Sequence, residues 1–166
     1  IGHAIKIALD LKINKKIIEK TLPTLSFPGR FYYLKHGKIK KMLHKNEMIM
    51  IDGAHAPADA KNLCDYLKKL KLPKYGVWSM TKNKEPDLFI KELKNIFRKI
   101  FTVPIDNESS SVTASELNRI AIKNKINSEE CQNFKEALKK ISNNEKKILI
   151  KDKNILLPLN ILNAAP

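Results

Sequence analysis

The sequence predicts an α/β protein, a three-layer wound and mostly parallel sheet with helices on both faces, and two observations carry the prediction. Between residues 48 and 122, a short apolar run, a polar loop and an amphipathic helical stretch follow one another three times. Alternation of this kind marks parallel βα units. The run Met48-Ile49-Met50-Ile51 is apolar at every position, which fits a strand covered on both faces better than one with a wet side. At 166 residues the chain has room for one ordinary domain, or for one domain carrying the tail of another.

The elements follow in chain order. Ala4, Ile7, Ala8 and Leu11 recur at helical spacing, and residues 15–22 give a second short helical pattern. Pro23 and Pro28 then bracket Thr24-Leu25-Ser26-Phe27, which must be extended or turned because proline restricts the residue before it. A domain boundary is placed here. Residues 31–43, with Phe31-Tyr32-Tyr33-Leu34, a turn at His36-Gly37 and a second run, read as a small hairpin. After the strand at 48–51, Pro57 is suited to the first turn of a helix. Ala60, Leu63, Cys64, Leu67 and Leu70 continue that helix until Pro73 closes it. The next units are a strand at 75–80 with a helix at 86–97, and a strand at 99–105 with a helix at 115–122 capped by Ser115. Residues 128–141 read as a helix with Cys131, Phe134, Leu138 and Ile141 on one face. Residues 147–151 then give a last strand, and 155–162 a closing helix interrupted by Pro158.

Composition narrows the function classes. Hydrophobic residues make up 43% and charged residues 30%, a globular balance. No apolar run approaches the roughly 20 residues that span a bilayer, so no membrane role is expected. The opening Ile1-Gly2-His3-Ala4 has neither an initiator Met nor a secretory signal, so the chain is expected to begin inside a longer protein. Cys64 and Cys131 lack neighbours at zinc-ligand spacing; with so few thiols a reducing cytoplasm fits best. The 32 basic against 17 acidic residues give a net charge of +15, which raises nucleic acid as a partner. Yet all but Arg30, Arg98 and Arg119 of those cations are lysines, whereas readers of phosphates and base edges favour the bidentate Arg fork. Abundant Lys, Ile and Asn is what an AT-rich genome encodes, and the Lys-rich stretches read as solvated faces. Nucleic acid is therefore not the expected partner. Trp78 and Met80 alternate on a strand and read as core.

In wound sheets ligands gather at the carboxyl ends of strands. The loop Asp52-Gly53-Ala54-His55-Ala56-Pro57 has that place. Gly53 allows an unusual turn, and Asp52 and His55 can both point out of the strand end towards an anion held at the start of the following helix. By itself the pattern reads equally as a capping Asp beside a satisfied His.

Phe27-Pro28-Gly29-Arg30, followed about twenty residues later by Ile51-Asp52-Gly53-Ala54-His55-Ala56-Pro57, resembles the paired signatures of the folylpolyglutamate synthase and dihydrofolate synthase family of the Mur-ligase superfamily. Those signatures are an aromatic-Pro-Gly-Arg segment and an Asp-Gly-Ala-His-Asn-Pro loop. Looser likenesses continue through Val77-Trp78-Ser79-Met80 with Asn83-Lys84-Glu85, and through Val103-Pro104-Ile105 before Ser115-Glu116-Leu117.

The resemblance implies a Mur-ligase-type C-terminal domain at 28–166, preceded at 1–27 by a helical remnant of the central ATP-binding domain. Members of the family use ATP and Mg²⁺ to phosphorylate a pteroate or folate carboxylate, and glutamate's amine then attacks the acyl phosphate. By that resemblance Arg30 contacts ATP, Asp52 holds the nucleotide ribose and His55 helps bind glutamate. No residue here is implied as catalytic or as a metal ligand. The phosphate loop and the Mg²⁺ ligands belong to the missing N-terminal and central domains, which are the implied partners of a cytoplasmic monomer acting on dihydropteroate or folate and L-glutamate. No Gly-x-x-x-x-Gly-Lys-Ser/Thr run occurs, so the piece alone is not expected to turn over ATP. Two departures fall at the amino-acid side. Ala56 replaces the family's Asn, and Lys151-Asp152-Lys153-Asn154-Ile155 stands where a Gly-Ser-Leu-Tyr segment should follow the last strand. The alternatives are a degenerate, non-catalytic member and a basic nucleic-acid-binding module.

Overall fold

The computed structural model describes residues 2–25, 27–44, 47–143 and 153–158. Six strands form one sheet: β1 (Tyr32–Tyr33), β2 (Glu47–Asp52), β3 (Lys74–Trp78), β4 (Lys99–Thr102), β5 (Ser128–Glu130) and β6 (Lys153–Pro158), ordered β1-β2-β6-β3-β4-β5. Only the edge strand β1 runs antiparallel; all other pairings are parallel. The expected wound α/β fold is therefore present. Strand order reverses where β6 enters between β2 and β3.

Side-chain alternation along the strands builds two cores. On one face Met50, Trp78 and Ile100 pack with Leu63 and Leu67 of α4 (Pro57–Lys69), Phe89 and Ile90 of α5 (Pro86–Glu92) and Leu117 of α6 (Ala114–Lys123). On the other, Ile49, Ile51, Val77 and Phe101 pack with Leu138 and Ile141 of α7 (Phe134–Asn143), with Ile39 of the short α3 (Lys38–Lys41) at the margin. Cys64 and Cys131 are buried free thiols. Burial pushes the Cys131 thiol up to about 11, which keeps it protonated and unreactive.

Several sequence expectations are corrected. Residues 31–43 do not form a hairpin: Tyr32 and Tyr33 pair with Ile51 and Met50 of β2, whose apolar edge is the better partner, and Gly37 at φ 108° starts α3 instead. The cap of α6 is Thr113, not Ser115; its hydroxyl accepts from Glu116 N–H at 3.2 Å, in the Thr-x-x-Glu frame of a capping box. Residues 128–141 are not one helix. Ser128–Glu130 adds to β4 as a strand, and α7 begins only after Asn133, whose side chain accepts from Glu136 N–H at 3.0 Å. The helix expected to run to 97 is assigned only to Glu92, and Asn95 lies beyond it in the left-handed region at φ 64°.

The expected last strand at 147–151 lies outside the described residues. The closing helix expected at 155–162 is overturned at its start, since 155–158 belong to β6, paired with β2 and β3; proline lacks a ladder donor and suits a strand end as well as a helix break. Lys153, Asn154 and Ile155, expected to follow the last strand, therefore lie within β6. Chain following the last described strand begins at residue 159.

At the other end, α1 (Gly2–Asp10) and α2 (Lys15–Thr21) contain no buried residue. Ile7, Leu11 and Ile17 on and beside them are all more than half exposed.

Candidate functional site

Asp52 ends β2 at the carboxyl edge of the sheet and is only 6% exposed. Both of its oxygens hold backbone amides. Oδ2 accepts from Phe31 N–H at 2.8 Å and Oδ1 from Ala54 N–H at 2.8 Å. A third bond runs alongside them, Gly53 N–H to the Gly29 carbonyl at 2.7 Å. The two signature segments, far apart in sequence, are thus fastened into one clasp.

The first segment folds as a tight turn in which Arg30 N–H donates to the Phe27 carbonyl at 3.0 Å. Its left-handed positions are Gly29 at φ 75° and Phe31 at φ 45°. Gly53, expected to make the unusual turn, is not among the positive-φ residues. For glycine the left-handed region is free, but for phenylalanine it costs on the order of 1 kcal/mol and must be held from outside. Asp52 holds the Phe31 amide, and the Phe31 ring rests on Tyr66 of α4 with centroids 4.7 Å apart. The Tyr66 hydroxyl in turn lies 3.1 Å from that of Tyr33. Burial, and then this hydroxyl contact, hold the Tyr33 phenol well above its ordinary range.

Arg30 is exposed, and its guanidinium has no hydrogen bond or ion pair with a described residue. His55 is also exposed. Its Nδ1 lies 2.9 Å from the Gly53 carbonyl, and because a carbonyl only accepts, Nδ1 carries the proton and Nε2 is left for another partner. Ala56 is the N-cap residue of α4 and supplies no side-chain bond there. The reading of Asp52 as the cap of this helix fails, since its oxygens serve Phe31 and Ala54 instead.

Further along the edge, the loop carrying Asn83-Lys84-Glu85 is tied to the 108–112 turn by Lys82 N–H to the Ser110 carbonyl at 2.7 Å and a Thr81–Ser111 bridge. Two buried side-chain polar atoms, Trp78 Nε1 and Ser79 Oγ, have no hydrogen-bond partner among the described residues. Sequence reasoning missed the parts played by Phe31 and Tyr66. The aromatic run directly after Arg30 was the only signal for the first. Among the described residues no group of three or more His, Cys, Asp or Glu could hold a metal ion, and no helix is long and apolar enough to cross a membrane.

Fold and edge together define a wound α/β domain with a clasped loop pair at the carboxyl edge of its sheet. The solved structures similar to it in fold include folylpolyglutamate and dihydrofolate synthases. No protein-family model matches the sequence, and neither does any curated protein. The folylpolyglutamate synthase of Mycobacterium tuberculosis, complexed with ADP and AMPPCP, superposes with a TM-score of 0.69 at 14% identity over 90% of this chain and 33% of its own. The bifunctional folylpolyglutamate synthase/dihydrofolate synthase of Yersinia pestis, complexed with AMPPNP and a Mn ion, gives 0.66 at 16% over 89% and 32%. The folylpolyglutamate synthase of Thermotoga maritima gives 0.62 at 20%, again over 89% and 32%. The chain spans about a third of the length of each structure. At these identities the likeness is one of fold.

Proposed function

We propose that this chain is the C-terminal lobe of an ATP-dependent ligase that joins L-glutamate to dihydropteroate or folate in the cytoplasm, with residues 1–27 closing a central ATP-binding domain. The observation that carries the reading is the clasp between Gly29-Arg30-Phe31 and Asp52-Gly53-Ala54, formed at the edge where wound sheets take ligands. Solved proteins of the same fold include complexes with ADP and AMPPCP.

In this reading each chemical task falls to a group already held for it. The exposed Arg30 guanidinium meets phosphate oxygens as a planar cation. Asp52, fixed by two amides, keeps further lone pairs with which to accept ribose hydroxyls. His55 turns Nε2 towards the carboxylate of glutamate at the entry to α4. Mg²⁺ neutralises phosphate charge when bound, but its ligands and the phosphate loop come from the remaining domains. Those domains also cover the apolar side chains of α1 and α2.

The test is ADP formation by the full-length protein supplied with Mg²⁺-ATP, dihydropteroate or folate, and glutamate. Turnover that requires both the acid and the amino acid is the expected result, while the 166-residue chain folds and turns over nothing. ATPase activity in the pure short chain, or no dependence on the two acceptors, would contradict the reading.

A further inference from the structure

We propose that Trp78 is a positioning residue for Asp52, its indole N–H holding the carboxylate through one buried water. Trp78 is 6% exposed and its Nε1 lacks a partner among the described residues, whereas buried indole N–H groups normally find one. A cavity of about 30 Å³ is lined by Asp52, Ala54, Leu63, Trp78, Phe89 and Phe97 among others. Of all its lining side chains only those of Asp52 and Trp78 can hydrogen-bond. That volume accommodates a water molecule.

Register brings the two side chains together. Asp52 stands opposite Pro158 of β6, and Gly76 opposite Leu156. Trp78, two residues past Gly76, is therefore level with Asp52 across one intervening strand, about 10 Å away along the sheet. Both project to the α4 face, since Met50 and Trp78 share that core and Asp52 follows Met50 by two. The indole stacks on Phe89 of α5 with centroids 6.3 Å apart, and the proposed water in the shared cavity accepts from Nε1–H and donates to the carboxylate. Asp52 is then held from three sides, by Phe31, by Ala54 and by the water, with acceptor capacity left over.

Trp78 is the only tryptophan of these 166 residues, so in the 166-residue chain biosynthetic replacement of tryptophan by the isosteric benzothienyl-alanine removes this one N–H and keeps the ring shape. In the natural protein, NMR should show the indole proton in contact with a long-lived water. In the analogue, the Phe31 and Ala54 amides should exchange about three- to tenfold faster, the loss of one typical hydrogen bond, while the Leu117 amide of α6 is unmoved. Absence of the water contact, or unchanged exchange at both amides, overturns the proposal. A third measurement rests on the proposed function: with the analogue placed at position 78 alone of the full-length protein, ADP affinity should fall by a similar factor. If the amides respond and ADP affinity does not, Trp78 still positions Asp52 and it is the ribose role of Asp52 that fails.

Discussion

Asp52 and His55 lie three residues apart, yet the structure treats them differently. Asp52 is buried with both oxygens bonded to backbone amides, while His55 is exposed and, among the described residues, its ring hydrogen-bonds only to the Gly53 carbonyl of its own loop. A group like Asp52 meets a ligand already oriented, and its removal damages the loops it joins. A group like His55 serves the ligand alone. Function and stability should therefore be coupled at Asp52 and separate at exposed groups such as His55 and Arg30.

The largest effect tests that coupling. Asp52→Ala strands two buried amides, and with charge-assisted bonds contributing roughly 1.5 to 3 kcal/mol each, stability should fall by at least about 3 kcal/mol in urea denaturation. Asp52→Asn keeps one acceptor oxygen and should lose about half as much. Arg30→Ala comes next: ATP affinity should drop roughly ten- to a hundredfold while the denaturation midpoint stays put, because the guanidinium supports no described residue. A large loss of stability in Arg30→Ala would break the distinction between the clasp and the group it presents.

His55→Ala should raise the KM for glutamate by up to about tenfold, leave the KM for ATP alone and shift stability by less than about 0.5 kcal/mol. Ala56→Asn sharpens the same half. An Asn at this N-cap position supplies the bond that α4 lacks, and should stabilise the protein by about 1 kcal/mol. If glutamate use improves as well, the loss of that amide explains part of the divergence at this side.

The smallest effect is expected far from the clasp. Lys140, 2.7 Å from Glu129, and then Lys99 hold the Glu129 carboxyl below its usual range. Because the folded-state value is depressed, the contribution is complete above the ordinary carboxylate pKa and disappears as pH falls through and below that range. The pair is a third exposed, so Glu129→Gln should cost less than about 1 kcal/mol at pH 7. The difference from the natural protein should shrink as pH falls below the ordinary carboxylate range, with ADP affinity unchanged throughout.

The parts of this arrangement that the sequence reveals are those written in local pattern. Strands β2, β3 and β4 follow apolar runs, and α4 announces itself through Pro57 and its spacing of Ala60, Leu63, Cys64 and Leu67. β6 escaped because a short apolar run such as Ile155-Leu156-Leu157 fits strand or helix equally, and its partner Glu47 lies more than a hundred residues before Lys153. The residue types of the site were legible at Arg30, Asp52 and His55. The clasp was not, because it consists of main-chain amides meeting a carboxylate and a carbonyl, and main-chain groups leave no trace in a residue pattern. Trp78 shows the same limit: its burial could be read from strand alternation, but not that its indole N–H is left without a partner among the described residues.

The central claim is that the clasp presents Arg30 to a nucleotide. Calorimetric titration of Mg²⁺-ADP into the full-length protein and into its Arg30→Ala variant, with denaturation midpoints measured on the same samples, tests it most directly. The account predicts affinity weakened at least about tenfold at an unchanged midpoint. Equal affinities in the two proteins would contradict it.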